Sequence, residues 1–193
     1  MKLTKQERAY NDYMDELRAK YGEPSGPYYL IAKTSGKWRK NPKISRTKEG
    51  LYVHHTAEID FPLLSSQFMA TRLPIELQEP QNLVYCTIFE HLLAHILIVE
   101  AYPFIKDKTE DLLVGAGGIN MMVGKLNDWY NGHPPLETSW EYPTWLQVKD
   151  RKDEYDALIK RAQKCLAKAN VFVRLSELSS MDMFPPVAKI SMP

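Results

Sequence analysis

Apolar residues recur with helical spacing in four segments of the chain, and each segment predicts a helix. In the first, Thr4 and Glu7 have the spacing of a capping box, and Gly22 follows the last helical position. The second is apolar around most of its circumference, so we expect it to be largely buried. The fourth is amphipathic, with lysines and arginines on its polar face. The predicted helices span residues 4–21, 88–100, 119–130 and 150–169.

Short runs of branched and aromatic residues between these segments predict strands at 28–32, 51–55 and 83–86. A long connection, residues 56–80, separates the second strand from the third. Gly115, Gly117 and Gly118 lie between a short predicted helix, about 109–113, and the helix at 119–130, and we expect them to form a helix break. A few short strands beside several helices indicate a mainly helical α+β fold.

The composition is that of a folded protein with a sizeable core. Of the 193 residues, 44% are hydrophobic and 11% are aromatic, enough for one domain with substantial additions. The formal net charge is only +1, so a surface that binds a polyanion must be local. Two cysteines give no disulfide framework, and no apolar run is long enough to span a bilayer. We therefore expect a cytoplasmic protein without a membrane partner.

Four of the five histidines lie between positions 54 and 95, in two pairs. His91 and His95 have the i, i+4 spacing that places both imidazoles on one face of a helix. His54 and His55 end a predicted strand, where neighbours point to opposite faces, so one can bind a metal while the other faces a substrate. Each pair alone is more often explained by packing. Together, four imidazoles in so apolar a stretch favour a shared site, because isolated buried polar groups are costly.

This order of residues resembles the HNH nuclease family, and within it the His-Me finger (ββα-metal) arrangement of colicin-type bacterial DNases. That family has His-His at the end of one strand, Asn before a second strand, and His-x3-His on the following helix. Here Asn82 follows the first histidine pair, and Asn82, His91 and His95 keep the Asn-x8-His-x3-His spacing. The resemblance implies a ββα-metal core at 49–100. An N-terminal helix and basic segment at 1–48 would precede this core, and a helical extension at 101–193 would pack on it.

The resemblance also implies a role for each matched residue. His54, His91 and His95 would bind one divalent transition metal, namely Zn, Ni or Mn, with Mg left open. His55 would be the general base, and Asn82 would hold the base-bearing loop through side-chain hydrogen bonds. Glu58 and Asp60 follow the first pair closely; one of them could orient a metal-bound imidazole, or both could be ordinary loop acids.

A basic segment lies just before the first histidine pair. Half of residues 37–48 are cationic, and no acid occurs before Glu49. One interpretation is a solvated loop, and the other is a surface that neutralises phosphates, with a tryptophan that stacks on a base or anchors the loop. The candidate nucleic-acid-binding residues are Lys37, Trp38, Arg39, Lys40, Lys43 and Arg46.

Two functions from different classes follow. The resemblance implies a metal-dependent HNH-type endonuclease that hydrolyses DNA phosphodiester bonds, of the kind carried by phages and other mobile elements. RNA stays open as a substrate, because nothing in the sequence indicates recognition of a 2′-hydroxyl. The alternative is a catalytically silent HNH-like scaffold that binds or inhibits a protein partner. Retention of His55 together with Asn82 favours the enzyme, because a purely structural metal site needs neither.

Overall fold

The computed structural model describes residues 2–32, 35–61, 64–101 and 112–168. Within these ranges the chain is mainly helical with two small antiparallel sheets, which is consistent with the predicted α+β class. None of the helices described there is both long enough and apolar enough to cross a membrane. The helices are α1 (Lys5–Tyr21), α2 (Gln67–Ala70), α3 (Ile88–Ala101), α4 (Leu112–Tyr130), α5 (Tyr142–Val148) and α6 (Lys152–Lys168). The strands are β1 (Tyr29–Ile31), β2 (Trp38–Lys40), β3 (Tyr52–His55) and β4 (Leu83–Cys86).

Helix α3 is the centre of the hydrophobic core, as its apolar circumference predicts. One side of it, including Phe89, Leu92 and Ile96, packs with α4 and α6 in a single buried cluster. The other side packs against α1 and β4. Burial on nearly every face explains why the apolar residues of α3 do not form a single stripe.

Helix α1 docks on this core through the apolar face that its sequence predicts. Tyr10, Met14 and Leu17 are buried against residues of α3 and β4. The capping box is present, because Thr4 accepts from the backbone of Glu7 and the Glu7 side chain accepts from the Thr4 backbone. A helix near the N-terminus is thereby held against the segment that carries the histidines.

Strands β3 and β4 form an antiparallel pair in which His54 lies opposite Val84 and His55 opposite Leu83. Both strands and α3 lie within two residues of their predicted bounds. A second antiparallel pair, β1 with β2, was predicted only in part. Trp38–Lys40, interpreted from sequence as part of a basic loop, is strand β2 and pairs with β1 in the register Leu30 to Arg39.

The predicted helix break at Gly115–Gly118 is wrong, because α4 runs through these residues without interruption. Two of these glycines, Gly115 and Gly118, are required for packing. A Cβ on Gly115 would lie 2.8 Å from Cγ2 of Val99, and a Cβ on Gly118 would lie 2.4 Å from Cε1 of His95. Their missing side chains let α4 approach α3 closely, and this approach compensates for the lower helix propensity of glycine.

Candidate metal centre

Three imidazoles converge where β3 ends beside the first turns of α3. His54 is the third residue of β3, and His91 and His95 lie one turn apart on α3. One nitrogen of each ring lies within 4.8 Å of the others, and the Nε2 atoms of His91 and His95 are 3.3 Å apart. His54 and His95 are buried, while His91 is partly exposed and forms the solvent side of the group. This group could hold a metal ion.

The pKa values of the three imidazoles suit metal binding. Burial lowers the pKa of His95 to about 4. Burial, followed by repulsion from the neighbouring imidazoles, lowers the pKa values of His54 and His91 well below the usual range. All three rings are therefore neutral near pH 7 and keep a lone pair for coordination. Nδ1 of His54 is buried without a hydrogen-bond partner, which is costly unless an ion occupies the space beside it.

Tyr10 on α1 contacts the imidazole of His54, and no local sequence pattern indicates this contact. Its hydroxyl lies 2.9 Å from Nε2 of His54 and 3.5 Å from the carbonyl oxygen of His55. If Nε2–H donates to the hydroxyl and the hydroxyl donates to the carbonyl, Nδ1 of His54 keeps its lone pair for the centre. The tyrosine is fully buried, so this contact is sheltered from water.

Glu58 supplies a carboxylate in the middle of the histidines. It lies in the 3-10 turn Thr56–Ile59, which folds back across the end of β3. Its Oε2 is 3.5 Å from Nδ1 of His54 and 3.6 Å from Nε2 of His95, and its Oε1 is 4.0 Å from Nδ1 of His55. Burial raises the pKa of this carboxyl to about 7, although the backbone N–H of Ser65 opposes the shift. Of the two candidate loop acids, Glu58 is the one that reaches the histidines, while Asp60 is exposed.

His55 lies on the opposite face of β3 from His54, as strand alternation predicts. Its Nε2 is 2.9 Å from Oε1 of Gln78, whose Nε2 donates to the Leu64 carbonyl at 3.3 Å. Since that donation fixes the amide of Gln78, Oε1 accepts from Nε2–H of His55 and the lone pair stays on Nδ1. Nδ1 faces Glu58, and the ring packs at 4.6 Å against that of Tyr28. Burial lowers the pKa of His55 to about 4.

Asn82 does not touch a histidine in the described structure. Its Nδ2 donates to the carbonyl of Glu76 at 2.7 Å. That bond holds the 3-10 turn Ile75–Gln78, whose last residue binds His55. Asn82 therefore braces the segment that supports His55 rather than the loop on which His55 lies.

In the basic segment, residues 37–48, some cations are exposed and others are bound by neighbouring residues. Arg46 is bound by Glu49 and donates to the Tyr21 carbonyl at 2.9 Å, and Trp38 packs at 5.8 Å on Tyr29. The tryptophan thus anchors the segment. Four of the candidate nucleic-acid-binding cations are left exposed, and one of them is close to the site. They are Lys37, Arg39, Lys40 and Lys43.

Lys40 connects these cations to His55. Its Nζ lies 5.3 Å from the centroid of the Tyr28 ring, which packs on the imidazole of His55. Its positive charge also contributes, after burial, to the lowered pKa of His55. Lys40 and the predicted base therefore lie on the same side of β3.

No family model, curated protein or solved structure matches this chain.

Proposed function

We propose that this protein is a metal-dependent endonuclease with a His-Me finger (ββα-metal) core formed by β3, β4 and α3. One observation carries the proposal. The adjacent histidines lie on opposite faces of β3, yet both direct Nδ1 at the same carboxylate, Glu58. A potential ligand and a potential base are thereby brought to one centre, as hydrolysis of a phosphodiester requires.

His55 is the proposed general base. Gln78 accepts from its Nε2–H and so keeps the lone pair on Nδ1. Burial lowers the pKa of His55 to about 4, so the ring is unprotonated at neutral pH. Nδ1 takes a proton from a water as the water oxygen bonds to phosphorus. The bond from phosphorus to the 3′-oxygen then breaks, and its electron pair stays on the leaving oxygen, which takes a proton from solvent.

His54, His91 and His95 fit a divalent ion, because their neutral nitrogens converge and Nδ1 of His54 is buried without a hydrogen-bond partner. A bound ion would supply a Lewis acid that offsets charge on the phosphate and on the leaving oxygen. Three nitrogen donors favour Zn, Ni or Mn over Mg, which prefers oxygen ligands.

DNA is the proposed substrate, with RNA as an alternative that the cleavage assay can test. The exposed cations Lys37, Arg39, Lys40 and Lys43 would neutralise phosphates beside the site. Lys40 lies on the His55 side of β3, where the proposed proton transfer occurs. The cytoplasm is the proposed location, which two unpaired buried cysteines suit.

The test is cleavage of supercoiled plasmid DNA and of a labelled RNA with Mg, Mn, Ni and Zn in turn. His55→Ala should lower the rate about 10²–10⁴-fold, because it removes the proton acceptor, and should leave metal content unchanged. The matched control is His133→Ala, which removes the fifth histidine, an exposed residue outside the centre. It should cleave at the wild-type rate. Absence of cleavage by the wild type with every metal would contradict the enzyme.

A silent scaffold is the second candidate, and the burial of His55 favours it. The ring has 0% exposure and is enclosed by Tyr28, Gln78 and neighbouring backbone, as is usual for a structural residue. On this alternative, His55→Ala lowers the melting temperature, and neither wild type nor variant cleaves a nucleic acid. Cleavage by the wild type that His55→Ala abolishes without changing the melting temperature would exclude the scaffold.

A further inference from the structure

Glu58 is placed unusually for a glutamate. Its side chain is 7% exposed, and no lysine or arginine of the described residues forms an ion pair with it. Its neighbours are three imidazoles and the backbone N–H of Ser65. A buried carboxylate without a cation is costly, because its charge loses water and gains no compensating partner.

Three distances among Glu58 and the neighbouring histidines are close to those within a tetrahedral metal shell. With bonds of about 2.0–2.1 Å, tetrahedral ligand atoms lie about 3.3–3.4 Å apart, since the edge of a tetrahedron is about 1.6 times the distance from centre to corner. The Nε2 atoms of His91 and His95 are 3.3 Å apart. Oε2 of Glu58 is 3.5 Å from Nδ1 of His54 and 3.6 Å from Nε2 of His95.

We propose that Oε2 of Glu58 is a direct fourth ligand, so that the centre at rest is a closed His₃Glu site without an exchangeable water. The carboxylate then offsets one charge of the divalent ion, and the ion in turn stabilises the buried carboxylate. Oε1 stays directed at Nδ1 of His55, 4.0 Å away, so the same side chain connects the metal centre to the proposed base. The inference rests on the metal site of the proposed function and not on the cleavage reaction.

The experiment uses the purified full chain loaded with Co²⁺, which takes tetrahedral zinc sites and has visible absorption bands that respond to its ligands. Azide is the probe, because it replaces a bound water readily and a held carboxylate poorly. In the wild type, the spectrum should be that of a four-coordinate ion and should not change on addition of azide. In Glu58→Gln, the spectrum should change with azide, and Co²⁺ affinity should fall by more than about 100-fold. Loss of an outer carboxylate typically costs about 10–100-fold.

The matched control is Glu76→Gln, which removes an exposed carboxylate in the 3-10 turn Ile75–Gln78 and should behave as the wild type. A wild-type spectrum that already responds to azide would overturn the inference, and this measurement does not depend on the folding of any variant. A Glu58→Gln protein that keeps the wild-type spectrum would also overturn the inference. Suppose that the wild type does not cleave plasmid, that its spectrum does not change with azide, and that the spectrum of Glu58→Gln does. The proposed nuclease activity would then be wrong, and the assignment of Glu58 as a ligand would be supported. If the wild type cleaves plasmid and its spectrum responds to azide, the nuclease activity is supported and the assignment of Glu58 as a ligand is wrong.

Discussion

His54 and His55 each make one hydrogen bond through Nε2, and that bond determines which ring nitrogen is left to face the centre. Tyr10 occupies Nε2 of His54, and Gln78 occupies Nε2 of His55. In both rings Nδ1 is left directed at Glu58. Partners that fix a tautomer also fix the ring's rotation, so their loss should be measurable even though neither touches the centre itself.

Tyr10→Phe tests this at the first ligand. The substitution removes only the hydroxyl, so Nε2 of His54 loses its partner and the proton can move to Nδ1, where it competes with the ion. We expect Zn²⁺ affinity to fall about 10–100-fold, measured by competition with a chromophoric chelator. The free energy of unfolding of the metal-free protein should fall by about 1–3 kcal/mol, because a buried hydrogen bond is lost.

Tyr13→Phe is the matched control for this prediction. Tyr13 also lies on α1, but its hydroxyl donates to the Glu90 carbonyl at 3.5 Å and does not reach a histidine. Zn²⁺ affinity should therefore be that of the wild type. An equal loss of affinity in both variants would mean that the hydroxyls act through the docking of α1 and not through the tautomer of His54.

At the scale of elements, the position of His95 in the candidate metal centre depends on how closely α4 approaches α3. The imidazole of His95 lies over Gly118, where a Cβ would come within 2.5 Å of Nδ1. The ring is thus held between Glu58 on one side and bare helix backbone on the other. A glycine within a helix costs about 0.5–1 kcal/mol relative to alanine, and here the gain is a fixed position for a ligand.

Gly118→Ala should therefore destabilise the protein, although alanine is the better helix former. The added methyl group overlaps the ring of His95, and we expect unfolding free energy to fall by about 1–3 kcal/mol. Zn²⁺ affinity should fall as well, because Nε2 moves away from the other ligands. Denaturant unfolding of metal-free protein and Zn²⁺ competition measure the two effects.

Gly117→Ala gives the opposite expectation and serves as the control. A Cβ at Gly117 would meet nothing within 4 Å, so the variant should gain about 0.5–1 kcal/mol of stability with no change in Zn²⁺ affinity. If Gly118→Ala were also stabilising, α4 would not be positioned by the ring of His95.

The elements that the sequence predicts well are those set by local periodicity. The i, i+4 spacing of His91 and His95 fixes their common face once α3 forms, and alternation separates His54 from His55. Tyr10 could not be found this way, because it reaches His54 across 44 positions of the chain. Gln78 and Glu58 depend likewise on how the connection 56–80 folds back over β3.

The error at Gly115–Gly118 has a related cause. Glycine lowers helix propensity, so the local pattern indicates a break, while the tertiary contact with α3 favours a continuous helix. The signal that was available is the i, i+3 spacing of Gly115 and Gly118, which places two bare positions on one helix face. Such a pair facing an apolar helix indicates close packing.

At the scale of the whole molecule, charge is balanced and only its placement can attract a nucleic acid. With 25 lysines and arginines against 24 acids, the net charge of +1 gives no general attraction to DNA. Of the exposed cations of the basic segment, Lys40 lies near His55. Those of α6 lie elsewhere, since Arg161 contacts Glu100 about two and a half turns along α3 from His91.

Paired substitutions can therefore locate the DNA surface. In a His55→Ala background, which slows cleavage, Lys37→Ala with Arg39→Ala should weaken binding to duplex DNA. The slope of log affinity against log salt should flatten by about two units, since each phosphate contact contributes about 0.9. Lys40 is left intact, because its charge also acts on the pKa of His55. Fluorescence anisotropy over a range of salt concentrations measures both quantities.

The matched pair is Lys160→Ala with Lys164→Ala, which removes the same charge from the exposed face of α6. If DNA binds beside His55, this pair should leave the salt slope unchanged, because net charge alone contributes little at physiological ionic strength. An equal flattening in both pairs would mean that binding follows total charge. A flattening confined to the α6 pair would place the DNA on the far side of α3, where neither His55 nor Glu58 could act on it.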